Sequence, residues 1–296
     1  MKIKSIKKAL EDKFNDFVTS IDDHDVSEAI NTGSIITGGC IPSMLLREEV
    51  NDFDIYFRDR DTAIRVAQYY VKKFCENGPK VLEVDTQTPD RVRIIKPTFE
   101  DQSKSRGESA GDLRLIQNPG EIEDTYQETE KMALESEDAD KPKYRPVFLT
   151  NNAITLSHRV QLVLRFYGEP EEIHANYDFV HCMNYWTSWD EKLVLKQGAL
   201  ESILTKELRY VGSKYPVCSV MRLRKFIARG WTVNAGQVLK MIMQMNELDL
   251  TIPSVLEDQL TGVDSAYFCD LMKQLKDKDP AKVNSAYLCE IIDRIF

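Results

Sequence analysis

The chain has 296 residues, 42% hydrophobic and 29% charged, which is enough for a core-bearing domain and one further domain. No apolar run approaches the roughly 20 residues of a bilayer span, and the N-terminal MKIKSIKKALEDKF is amphipathic without a signal-peptide core, so a soluble cytoplasmic protein with no membrane partner is expected. The net charge of −9 excludes a uniformly basic surface, but it is unevenly placed: residues 97–141 hold 13 Asp and Glu against 5 Lys and Arg, leaving the remainder nearly neutral and able to carry a local basic groove.

In chain order, an amphipathic helix is expected over Ile6 to Phe17. Ser34-Ile35-Ile36-Thr37 and Phe53-Asp54-Ile55-Tyr56-Phe57 read as short strands, and Pro42 suits the first turn of a short helix between them. Gly38-Gly39 closes the first strand and lets the backbone approach a triphosphate, with amides at the helix start facing its charge. Asp52 and Asp54 are two apart, so on a strand both side chains leave one face. Carboxylates side by side repel, and a divalent cation held between them removes the repulsion.

Thr62 to Glu76 has helical spacing, and Val81 to Val84 and Val92 to Lys96 read as strands flanking the acidic segment 97–141, whose composition is that of an insertion. Val147 to Leu149, Ala153 to Leu156 and Val160 to Phe166 read as strands, followed by a turn at Gly168-Glu169-Pro170. Ile173 to Trp186 is expected to be extended, with Asp178 isolated between Tyr177 and Phe179, a carboxylate that needs a partner if buried. Lys192 to Leu208, Val220 to Arg229 and Ala235 to Leu248 are helical in pattern, and two near-duplicate segments beginning at Asp264 and Asn284 end the chain. Lys192 and Lys196 would lie one turn apart on the first of these helices, within reach of a triphosphate. Arg222, Lys225 and Arg229 share a helical face suited to phosphates, with the bland alternative of a solvated basic side. The six cysteines are scattered without C-x-x-C and read as reduced core thiols, His181-Cys182 being a packed pair rather than a metal site.

The Gly-Gly pair followed by Asp-x-Asp between hydrophobic positions resembles the signature of the nucleotidyltransferase superfamily typified by DNA polymerase β. Within it, the segment looks most like the tRNA nucleotidyltransferase and poly(A) polymerase branch, whose Gly-Gly-x-Val-Arg-Asp-x-Leu-Leu run it matches at Ile41 and Leu45-Leu46. It departs from that branch at Pro42-Ser43, which stand where the branch has Arg-Asp. The resemblance implies an α+β fold: a mixed-sheet catalytic domain over residues 1–190 with the acidic insertion at about 97–141, and a helical domain over 191–296. It implies that Asp52, Asp54 and Asp178 are the catalytic carboxylates and hold two Mg²⁺ ions, with Mn²⁺ as a substitute. Gly38, Gly39, Ser43, Lys192 and Lys196 would bind the NTP, and Arg222, Lys225 and Arg229 the acceptor. The implied reaction moves a nucleoside monophosphate to a hydroxyl, with an RNA 3′ end as the expected acceptor. A protein, a small molecule or a second nucleotide is the alternative acceptor, and a non-catalytic nucleotide-binding protein on this fold the alternative class.

Overall fold

The computed structural model describes residues 2–76, 82–95 and 142–250, together with 252, 255, 259 and 289. The acidic segment expected at 97–141 and, Cys289 apart, the two closing segments lie outside the described residues. The described residues divide into two compact units, one holding those up to Ile173 and Asn184–Leu195, the other His174–Met183 and those from Lys196 onward. Each is described by itself.

The first unit opens with α1 (Ile3–Thr19), whose Ile6, Leu10, Phe14 and Phe17 form one fully buried stripe. The helix α2 (His24–Gly33) follows, capped by Asp23, whose carboxylate accepts from the amides of Asp25 and Val26. It was not expected from periodicity, because Val26 and Ile30 are its only large apolar residues and polar groups surround them. Next come β1 (Ser34–Thr37), α3 (Cys40–Leu46), β2 (Phe53–Phe57) and α4 (Arg60–Glu76). The strands β3 (Glu83–Asp85) and β4 (Arg93–Ile95) form a separate antiparallel pair. Then β5 (Pro146–Leu149), β6 (Ala153–Leu156), β7 (Val160–Tyr167), the short α5 (Pro170–His174), β8 (Tyr185–Thr187) and β9 (Lys192–Val194) complete the order.

Seven of these strands make one sheet in the order β5-β6-β7-β2-β1-β8-β9. The β2–β7 pairing is parallel and the others antiparallel, so the sheet is mixed and the fold is α+β. A parallel pair requires a long connection, and residues 58–159 supply it. All four residues of β1 are buried, as befits a strand paired on both sides and covered by helices. The core draws Phe14, Phe17, Ile30, Ile41, Phe57, Tyr70 and Trp186 together, with the Phe14 and Trp186 ring centroids 5.0 Å apart.

In the second unit, α6 (Gln197–Thr205), α7 (Pro216–Ala228) and α8 (Ala235–Met245) are helical as expected, with a two-stranded parallel pair, β10 (Glu207–Leu208) and β11 (Thr232–Val233), between them. Two expectations need correction. The single helix expected over Lys192 to Leu208 is instead a strand, a helix and a strand. Its opening residues Leu193 and Val194 pair with Trp186 and Tyr185, and backbone pairing to β8 outweighs helix propensity there. Nor does Asp178 lie on a strand: Phe179 makes one isolated bridge to Tyr210, after which Val180–Cys182 turns into a 3₁₀ helix. Phe179, one of the neighbours that suggested a strand, is buried instead among the Tyr210 and Phe226 rings, while Tyr177 is half-buried. Phe226 and Trp231 stand 4.6 Å and 4.3 Å from His181, which bears out the packed reading of that residue. The described cysteines form no disulfide, with Cys40 and Cys218 buried as expected and Cys289 exposed. Among the described residues no helix is long and apolar enough to cross a membrane.

Candidate functional site

The glycine pair and the aspartates meet because β1 and β2 are sheet neighbours. Thr37, the last residue of β1, is fully buried, pairs with Asp54 of β2, and donates its hydroxyl to the Asn184 carbonyl at 2.9 Å. On the other side of β2, Asp54 stands opposite Gln161 of β7, so its backbone is gripped from both neighbours. Gly38 follows Thr37 with φ +87°, a conformation that L side chains rarely adopt. A Cβ at position 38 would fall 2.6 Å from Asp54 Oδ2, closer than atoms approach without something moving. Glycine is therefore required there twice over, by its backbone angle and by the carboxylate beside it.

Gly39 is the N-cap of α3, and a Cβ there would meet nothing within 4 Å. Ser43 sits within α3, its amide donating to the Gly39 carbonyl at 3.1 Å and its carbonyl accepting from Glu48 at 2.8 Å. The helix ends at Arg47 in the left-handed conformation, φ +61°, and the chain runs from there to Asp52, one residue before β2. Strand alternation carried back from Asp54 puts both carboxylates on one face. Both residues are half-buried.

A hard divalent cation prefers oxygen donors, and Mg²⁺ commonly takes one or two protein carboxylates together with phosphate oxygens and water. Asp52 and Asp54 supply that donor set, and the open space around Gly39 leaves room for a phosphate alongside, so the residues fit such an ion. Among the described residues no group of three or more His, Cys, Asp and Glu side chains is placed to hold a metal.

The other expected site residues fall in two places. Lys192 is an exposed residue of β9, the last strand of the sheet, paired with Thr187. It is not on a helix one turn from Lys196, as its spacing had suggested. Lys196 belongs to the second unit, where it is the N-cap of α6 and its ammonium stands 3.1 Å from His174 Nδ1. Burial, and then the Lys196 charge, push the His174 imidazole down to about 3, so the ring is neutral and accepts from the lysine.

Asp178 is also in the second unit, with its side chain 8% exposed. The partner that a buried carboxylate needs is Arg222, whose Nη1 donates to Asp178 Oδ2 at 2.7 Å. Sequence reasoning placed these two residues in different roles and missed that they are a pair. Of the basic face on α7, Arg222 is thus engaged, while Lys225 and Arg229 are exposed. Also missed was Arg159, between β6 and β7, whose carbonyl accepts from the Phe53 amide at 2.8 Å and whose Nη1 donates to the Val50 carbonyl at 2.8 Å. No short-range pattern marks it, since those partners are over a hundred residues away.

The geometry at Gly38 predicts that Gly38→Ala is damaging out of proportion to its size. The added methyl makes the left-handed backbone unfavourable by about 1–2 kcal/mol and drives Asp54 from its position. Gly39→Ala, with space around it, is expected to be mild in stability, and thermal midpoints of the two variants side by side check the contrast.

A family model described as "Gabija anti-defense 2 family protein" matches residues 8–206. The protein "Gabija anti-defense 2" of Bacillus phage SPbetaL7 is 21% identical over 123 residues, covering 41% of this chain and 31% of that protein. Among solved structures, the chain is similar to the Thermotoga maritima CCA-adding enzyme complexed with tRNA at 11% identity and a TM-score of 0.43, covering 88% of this chain and 50% of that one. It is similar also to the Bacillus stearothermophilus CCA-adding enzyme in complex with CTP, at 10% identity and a TM-score of 0.36, covering 81% of this chain and 47% of that one. The chain thus spans about half the length of these solved proteins and about a third of the curated relative. The family model takes in both glycines and both aspartates of the β1–β2 site and extends over more than half of the sequence, and on that match this chain belongs to the Gabija anti-defense 2 family.

Proposed function

We propose that this chain is a nucleotidyltransferase that acts in counter-defence. The observation that carries the reading is the approach of Asp54 to a glycine where any side chain is strained, with Asp52 two residues before it. In the proposed reaction, an acceptor hydroxyl oxygen bonds to the α-phosphorus of an NTP. The bond from that phosphorus to the bridging oxygen breaks, pyrophosphate leaves, and the hydroxyl proton passes to solvent. Asp52 and Asp54 would hold divalent cations such as Mg²⁺, which when bound lower the pKa of the hydroxyl and neutralise phosphate charge. The backbone at Gly38 and Gly39 would admit the triphosphate, and Ser43, Lys192 and Lys196 are proposed contacts to it. Asp178 is proposed as the further carboxylate, with Arg222 balancing its charge.

Family membership favours an acceptor within the Gabija defence, a hydroxyl on one of its protein components. RNA is the second reading, favoured by the exposed Lys225 and Arg229 and weakened by the engagement of Arg222 with Asp178. Incubating the protein with Mg²⁺, each α-labelled NTP, and either purified Gabija proteins or total RNA separates the two, because the label follows the acceptor. Label on RNA, with RNA affinity that falls with salt and a shallower salt slope after Lys225→Ala and Arg229→Ala, selects the second reading. Nucleotide binding with no label transferred to any acceptor would leave only a nucleotide-binding protein.

A further inference from the structure

Three residues, Ser157-His158-Arg159, join β6 to β7, and two of them take a backbone that L side chains avoid: φ is +61° at His158 and +59° at Arg159. Asn and Gly occupy consecutive turn positions of this kind at little cost, whereas a His followed by an Arg is strained at each. Strain of this sort persists where the surroundings over-determine it, and it concentrates at functional positions. Here the surroundings are specific. Lys13 donates to the His158 carbonyl, and the Tyr144 ring lies 5.3 Å from the imidazole. The Arg159 carbonyl accepts from the Phe53 amide at 2.8 Å. Arg159 Nη1 donates to the Val50 carbonyl at 2.8 Å and to Glu49 Oε1 at 2.7 Å. Glu49 is 74% exposed, so its ion pair contributes little, and the bond to the Val50 carbonyl matters more. One residue therefore grips the chain on both sides of Asp52, at Val50 and at Phe53.

We infer that Arg159 is a positioning residue for the aspartate pair: it fixes the backbone of 50–53, and the strained turn is retained because its guanidinium and carbonyl must both face that segment. The inference rests on reading Asp52 and Asp54 as a pair that holds a divalent cation. An Asn-Gly turn would keep the carbonyl at position 159 and lose the guanidinium.

The test compares the wild type with Arg159→Ala, Arg159→Lys and the double variant His158→Asn with Arg159→Gly. Three quantities are read: Mn²⁺ affinity by electron paramagnetic resonance, the thermal midpoint, and amide hydrogen exchange over 50–54. The double variant is expected to melt a few degrees higher as strain is relieved. It should also bind Mn²⁺ about tenfold more weakly, as when a group that orients a metal ligand is lost, and exchange faster over 50–54. Arg159→Lys is expected to recover part of the affinity, since an ammonium reaches one acceptor but cannot fork between two. Unchanged affinity and exchange in the Arg159 variants would overturn the inference, as would a lower midpoint in the double variant. If the wild type binds Mn²⁺ and the variants lose it, yet no nucleotide is ever transferred, the proposed reaction fails and the positioning role stands. A wild type that binds no Mn²⁺ overturns both.

Discussion

Replacing Asp54 with Asn is expected to abolish nucleotidyl transfer while leaving the fold as stable as before or steadier. The amide keeps the shape of the carboxylate beside Gly38, so the backbone approach that glycine permits is preserved. Removing one of two neighbouring negative charges relieves repulsion in the metal-free protein. The same change takes away one of the anionic ligands of a cation on which transfer would depend, and losing one such preorganised group lowers turnover on the order of 10³-fold. Asp52→Asn should behave alike. Single-turnover transfer from an α-labelled NTP, measured beside thermal unfolding, tests both halves of the expectation. A variant that folds normally and retains near wild-type turnover would remove the aspartates from the chemistry.

The second large effect is expected in acid. His181 is 1% exposed, and burial holds its imidazole down at about 4 despite the opposing charge of Asp178. Among the described residues neither ring nitrogen has a hydrogen-bond partner. His174 is held down at about 3 by burial and by Lys196. In the unfolded chain both titrate near 6.5, so as the pH falls below that value the unfolded state takes up protons that the folded state refuses. Their contribution to stability is complete above about pH 6.5. It is lost progressively toward pH 4 for His181 and pH 3 for His174, a loss of about 3 kcal/mol for the first and about 5 kcal/mol for the second. His181→Phe removes an unsatisfied buried group and its proton uptake together, so the variant should be at least as stable at neutral pH and flatter between pH 6.5 and 4. Urea midpoints against pH for the wild type and His181→Phe decide the matter. Parallel curves over that window would show that His181 is not buried in its neutral form.

The β1–α3–β2 segment was legible in the sequence because everything that specifies it is local. Four β-branched or small residues end at two glycines, a proline falls in the first turn of the helix, and a second apolar run carries Asp54. Periodicity also located α1, α4, β5, β6, β7, α7 and α8; α1 and α4 each bury an apolar stripe, whereas among the described residues α8 buries Met241 alone. It missed α2, where two apolar residues among polar ones make too weak a stripe. It misread Lys192 to Val194, where Leu193, Val194 and Leu195 satisfy a strand and a helix equally well until a pairing partner decides between them.

The sequence by itself therefore determined most helices and strands and the local setting of the glycine and aspartate residues, because backbone conformation and side-chain alternation follow from neighbours within a few positions, while the α+β fold was what the resemblance implied. Tertiary structure alone decided three further things: that Asp178 answers to Arg222, 44 residues away; that Gly38 faces Asp54; and that Arg159 grips the segment around Asp52, 109 residues from Val50. These are pairings of charges and hydrogen bonds. The two around the aspartate pair depend on which strands become neighbours in the sheet, and that of Asp178 on the helix Pro216–Ala228 packing beside it within the second unit; packing settles them rather than any run of residues.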